Sequence, residues 1–167
     1  MSLPLLQAKF LIGMGADVRA RAIGSFFGYG GQAYFGEYPM SFAAALGHKE
    51  MVLLLHRHGA TPHDRDAQGH TALHITIYHG QKEMYDYLID VIKADEYALN
   101  VHGLTPLMKA AALGNTEVFI HIVSRRKQVV FRYGNLTSYW LPLEELDATG
   151  EHSDHEKTAF AIALRTG

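Results

Sequence analysis

The strongest constraint on this chain is a period. Gly36, Gly69 and Gly103 lie 33 and 34 residues apart, and a second set, Gly47, Gly80 and Gly114, keeps the same two intervals. Two markers in one register define a repeat array, in which each unit contacts only its neighbours. About five units fit, with both end units incomplete.

Each unit carries the chemistry of a turn followed by two helices. GEYPMSFAA (36–44), GHTALHITI (69–77) and GLTPLMKAA (103–111) open on a glycine, which tolerates the positive φ of a tight turn. Thr71 and Thr105 offer a hydroxyl to the free N–H groups of a new helix, and Pro39 and Pro106 fall in the first turn, where a missing N–H costs nothing. Met40, Leu73 and Leu107 face the core, while Ala43, Ala44, Ala110 and Ala111 let helices approach closely. GHKEMV, GQKEMY and GNTEVF then bend into a second helix, with the apolar residues of MVLLL, MYDYLI and VFIHIV turned inward. Gly15-Ala16 and Gly59-Ala60 mark where that helix stops, whereas the next unit ends in KADEYALN and its turn is atypical. Period and residues together resemble the ankyrin repeat, whose unit is about 33 residues.

The expected organisation is an all-α repeat, an ankyrin-repeat solenoid with long finger loops. It divides into a partial unit at 1–18, a finger at 19–35, repeats at 36–66, 69–99 and 103–125, an insertion at 127–147 and a partial unit at 154–167. The first partial unit reads as a truncation, Leu5 to Met14 being a second helix without its first. The finger, RARAIGSFFGYGGQAYF, is too long for an ordinary turn, and Phe26, Phe27, Tyr29, Tyr34 and Phe35 suit an ordered loop that packs on something. In the insertion, VVFRY and LTSYW flank Gly134-Asn135, which predicts a β-hairpin near 129–140. LPLEELD (141–147) reads as a short helix or turn, and TAFAIA (158–163) mirrors TALHIT (71–76).

Composition narrows the function. The net charge of −2 gives no support to a nucleic-acid partner, and the absence of cysteine excludes disulfides, thiol nucleophiles and cysteine-ligated zinc. Apolar runs such as MVLLL and AFAIAL fall far short of the roughly 20 residues that span a bilayer, so no membrane insertion is expected of this segment. GMGADV and GYGGQA do not sit between strand and helix as a dinucleotide fold requires, and nothing marks a nucleophile elbow. The chain is read as no enzyme, with no catalytic, cofactor-binding or metal site. Of the eleven histidines, His74 stands at the position where the resemblance to ankyrin repeats implies a bond to backbone between repeats, while His70, His74 and His79 make a poor tetrahedral set.

A narrower resemblance rests on GADVRARAIGSFF (15–27), YFGEYPMSFAA (34–44), HGLTPLMKAA (102–111) and FRYGNLTSYWLPLEELD (131–147). These resemble the N-terminal cytoplasmic repeat domain of transient receptor potential vanilloid (TRPV) channels, over roughly residues 10 to 147. The resemblance implies a tetrameric, often calcium-permeable cation channel, on the cytoplasmic face of the plasma membrane, with the pore in a part absent from this chain. It further implies that the finger and the late hairpin meet neighbouring subunits, which makes Phe26, Phe27, Tyr29, Phe131, Tyr133 and Trp140 the candidate interface, the alternative being that they cover apolar helix ends within one chain. The partners expected are other channel subunits, in a homotetramer, and regulatory proteins. Family members place tryptophan where Phe131 stands and often tyrosine where Trp140 stands. The family's ATP contacts lie mostly outside this chain and none is carried over; for calmodulin the nearest segment is Ser124 to Val130. The alternative is a free-standing soluble ankyrin-repeat protein that binds partners through its fingers and concave face.

Overall fold

The computed structural model describes residues 3–22, 24, 34–140, 145 and 159. Among them, α1 (Leu3–Gly13) is followed by three helix pairs: α2 (Pro39–Ala45) with α3 (Lys49–Arg57), α4 (Ala72–Tyr78) with α5 (Lys82–Asp90), and α6 (Pro106–Ala112) with α7 (Thr116–Arg126). The short first helices stack, α2 on α4 and α4 on α6, and α1 lies against α3. A hairpin of β1 (Gln128–Tyr133) and β2 (Leu136–Trp140) follows the last helix. This is the all-α solenoid that the period predicts, with one small sheet.

Helices of seven residues are too short to persist alone, so packing must hold them. Met40, Leu73 and Leu107 are buried at equivalent positions, with Ala43, Ala44, Ala110 and Ala111 beside them. The second helices contribute Val52 and Leu55, Met84, Tyr85 and Leu88, and Val118 and Ile122 to the same core. One expectation needs correcting: in VFIHIV, Ile120 points to solvent, because only two or three faces of a two-layer helix turn meet the stack. Proline stands first in α2 and α6, and the Thr105 hydroxyl accepts from the Met108 N–H at 3.3 Å. At α4 the Thr71 hydroxyl instead meets His74 Nδ1 at 3.0 Å.

The turns between units repeat in atomic detail. Asp66 Oδ1 accepts from the N–H groups of Gln68 and His70, at 2.9 and 2.8 Å. One unit later Asn100 Oδ1 accepts from His102 and Leu104, at 2.9 and 3.0 Å. His74 Nε2 donates to the Leu104 carbonyl at 3.0 Å, so the signature histidine does bridge consecutive units. Burial pushes its imidazole down to about 4, against the opposing pull of that carbonyl, and keeps it neutral.

Candidate interaction surface

The finger enters and leaves through residues the structure describes, and both ends are fixed. At the near end the Ala22 N–H donates to the Glu37 carbonyl at 2.7 Å, and the Arg21 guanidinium bonds the Glu37 carboxylate. The same Glu37 oxygen accepts from the Ala67 N–H at 3.1 Å, tying the finger's base to the next turn.

At the far end Tyr34 enters a buried polar cluster. Its hydroxyl donates to Asp66 and lies 2.7 Å from His70 Nδ1, while its carbonyl accepts from His79 Nε2 at 2.7 Å. The ring packs edge-on against Tyr78, with centroids 5.3 Å apart. Burial, then the bonded Asp66, pushes the Tyr34 hydroxyl far above the ordinary tyrosine range, so it remains a donor. Phe35 stacks on the His79 ring at 4.9 Å and meets Phe42 at 5.0 Å. Tyr34 and Phe35 thus pack on the repeats. Phe26, Phe27 and Tyr29 lie outside the described residues.

The hairpin presents the other half of the expected surface. Its register pairs Tyr133 with Leu136, Phe131 with Ser138 and Gln128 with Trp140, with an irregularity between Val129 and Phe131. Cross-strand partners share a face, and alternation along β2 puts Leu136, Ser138 and Trp140 on one side. Phe131, Tyr133, Leu136 and Trp140 therefore share a face, and the Phe131 and Tyr133 rings lie nearly parallel at 6.4 Å. Their exposures are 54%, 76%, 66% and 54%. Gly134 turns the chain at φ +55°. The opposite face carries Val129 and Tyr139, exposed at 53% and 55%, so both faces of the hairpin present apolar side chains. A two-stranded hairpin exposed on both faces is marginal on its own, and apolar surface of this kind marks an interaction site.

Past the hairpin, Glu145 and Ala159 are held against the array. Glu145 accepts from Arg126 Nη1 at 3.0 Å and from the Thr105 hydroxyl at 2.5 Å, and its carbonyl accepts from the Ala159 N–H at 2.8 Å. Arg126 also donates to Glu96 at 3.3 Å and covers the Tyr97 ring at 4.8 Å. Neither this clamp nor the Tyr34 cluster was anticipated, although Asp66 and Asn100, each three residues before a bend glycine, were a readable signal for capped turns. The remaining members of both clusters are joined across 14 to 45 residues and leave no local pattern. The three histidines at 70, 74 and 79 are engaged in hydrogen bonds, His70 and His79 with Tyr34 and His74 with Leu104.

At the opposite end of the array, an apolar groove of about 580 Å³ runs between α1 and α2, lined by Pro4, Ala8, Phe42, Leu46 and Met51 among others. No described helix is long and apolar enough to cross a membrane.

The comparisons agree with this geometry. The sequence is 41% identical over 154 residues to the rat transient receptor potential cation channel subfamily V member 6, covering 86% of this chain and 20% of that protein. It is 40% identical to the mouse subfamily V member 5, over 86% of this chain and 21% of that protein. With the mouse subfamily V member 4 it shares 34% identity, over 86% of this chain and 20% of that protein. The chain thus spans about a fifth of the length of the curated relatives it matches. A family described as ankyrin repeats in three copies matches residues 7–98 and 40–133. With three stacked helix pairs inside those bounds, the chain belongs to the ankyrin-repeat family, as a segment similar to the vanilloid-type channels.

Proposed function

We propose that this chain is the cytoplasmic ankyrin-repeat segment of a vanilloid-type, calcium-permeable cation channel. Its role is subunit assembly and regulation, and it binds partners rather than catalysing a reaction. The units are those at 36–66, 69–99 and 103–125, flanked by partial units at 1–18 and 154–167. Phe26, Phe27 and Tyr29 of the finger, together with Phe131, Tyr133 and Trp140 of the hairpin, form the surface that meets a neighbouring subunit in a homotetramer. Regulatory proteins would approach the same array from the cytoplasm.

The observation that carries this reading is the set of Phe131, Tyr133, Leu136 and Trp140 on one face of the hairpin, exposed beyond the last helix pair of the stack. Desolvated aromatic residues dominate binding energy at interfaces, and a marginal hairpin gains order by being covered. The similarity to channel subunits of subfamily V supplies the partner.

The test is expression of the complete reading frame that contains this segment, with native mass spectrometry of the assembled subunits. Substituting serine for Phe131, Tyr133 and Trp140 together should reduce the tetramer fraction and the calcium current while the helical circular dichroism stays unchanged. Replacing Phe27 and Tyr29 with serine should act in the same direction. Unchanged assembly in both variants would sink the interface, and a frame without downstream membrane-spanning segments would leave a soluble protein-binding array instead.

A further inference from the structure

We propose that His70 is a proton-controlled lock joining the base of the finger to the turn of the following repeat, closed when its ring is neutral and opened when it is protonated. The side-chain oxygen of Asn100 is committed to the His102 and Leu104 N–H groups, so its amide nitrogen is the group that faces His70 Nε2, at 3.2 Å. A donor at that distance requires Nε2 to be an acceptor, which places the ring proton on Nδ1. Nδ1 then donates to the Tyr34 hydroxyl at 2.7 Å, and that hydroxyl donates to Asp66. Donors and acceptors run in one direction from Asn100 to Asp66.

Protonation puts a second donor on Nε2, facing the Asn100 N–H groups. The conflict is relieved only if the Asn100 amide turns over, and that removes the oxygen capping His102 and Leu104. The proton state of one ring is thereby linked to the turn 100–104.

The surroundings decide the balance. Asp66 stands 3.9 Å from Nδ1 and favours the charged ring. His74 lies 5.4 Å away and Tyr78 5.3 Å away, with the Lys109 ammonium over the Tyr78 ring at 4.9 Å. Burial is the largest influence on His70, followed by Lys109 and His102, and together they push it down to about 4. The lock is therefore closed at neutral pH.

Nuclear magnetic resonance on the 167-residue chain tests this directly. As the His70 ring titrates, the amides of His102 and Leu104 should lose about tenfold or more of their hydrogen-exchange protection, while Val118 and Ile122 in α7 keep theirs. Unchanged protection at His102 and Leu104, or simultaneous loss at Val118 and Ile122, overturns the lock. Asn100→Asp retains the capping oxygen and offers an acceptor to protonated Nε2, so the His70 midpoint should rise by about one unit or more with the caps intact. His70→Gln reproduces the neutral ring's donor and acceptor and cannot take a proton; loss of the two amides persisting in that variant would equally defeat the proposal.

Discussion

Lys93 takes the left-handed backbone conformation, φ +63°, that Gly59 takes with φ +99° at the end of the preceding repeat. The residue after each is a buried alanine, Ala60 and Ala94, 34 positions apart. Ala60 N–H bonds the Leu55 carbonyl at 3.0 Å, whereas Ala94 N–H reaches six residues back to Leu88 at 2.9 Å. The extra residue of the 34-residue interval is therefore absorbed at the end of α5.

A side chain in the left-handed region costs about 1–2 kcal/mol, partly offset by the smaller unfolded-state entropy of a non-glycine residue. Lys93→Gly should thus raise stability by about 0.5–1 kcal/mol, read from urea denaturation at pH 7. A loss of stability would mean that the lysine side chain contributes more than its backbone strain removes.

Gly69 and Gly103 provide a matched pair, with φ of +69° and +70° at equivalent turns. A Cβ on Gly69 would lie 2.8 Å from the Val101 nitrogen and 3.2 Å from Asn100 backbone atoms, while one on Gly103 meets nothing within 4 Å. Both alanine variants bear the same conformational strain, about 1 kcal/mol, but only Gly69→Ala must also displace rigid backbone. Gly69→Ala should be the more destabilising by a further 1–3 kcal/mol or so, and equal melting curves for the two would contradict the close approach of the two turns.

How much of this was readable in the sequence follows the range of each interaction. The turn glycines recur at the repeat interval, with Pro39 and Pro106 in two of the three first turns, so the stack could be expected from spacing; the histidine bridge to Leu104 was implied only by the resemblance to the ankyrin signature, because Ser41 and Met108 hold the positions equivalent to His74. Gly134-Asn135 between β-rich runs located the hairpin, and strands at 128–133 and 136–140 agree within a residue at its start. The face shared by Phe131, Tyr133, Leu136 and Trp140 follows from the two-residue turn and the alternation on either side of it, whereas the irregularity between Val129 and Phe131, which shifts Gln128 and Val129, leaves no pattern in the sequence. Tyr34 was grouped with the finger's aromatics, yet its contacts with Asp66 and His70 depend on how consecutive turns stack, 32 and 36 residues away.

Two buried neutral histidines set the acid side of the stability profile. His70 and His74 are both pushed from 6.5 down to about 4 by burial. The unfolded chain then binds more protons than the folded one, so their contribution is fully present above pH 6.5 and is lost as pH falls through that value towards 4. Shifts of this size correspond to an order of 3 kcal/mol each. Urea midpoints should therefore be flat above pH 7 and fall steadily between pH 6.5 and 4. Replacing His74 with glutamine should flatten part of that slope, and an unaltered slope would assign the acid sensitivity elsewhere.

Arg126 and Glu145 close the far end of the array, and their coupling can be measured. Both side chains are mostly buried, and Glu145 also holds the Thr105 hydroxyl that caps α6. Arg126→Ala would leave the Glu145 and Glu96 carboxylates facing each other's charge without the guanidinium, and would uncover the Tyr97 ring. Removing one member of a buried pair costs about 3–5 kcal/mol. Glu145→Gln keeps an acceptor for Thr105 and relieves a charge, so it should cost about half as much. In the double variant the penalties should overlap, leaving a coupling of about 1–3 kcal/mol. Additive losses would mean that the two groups, 3.0 Å apart, do not stabilise each other.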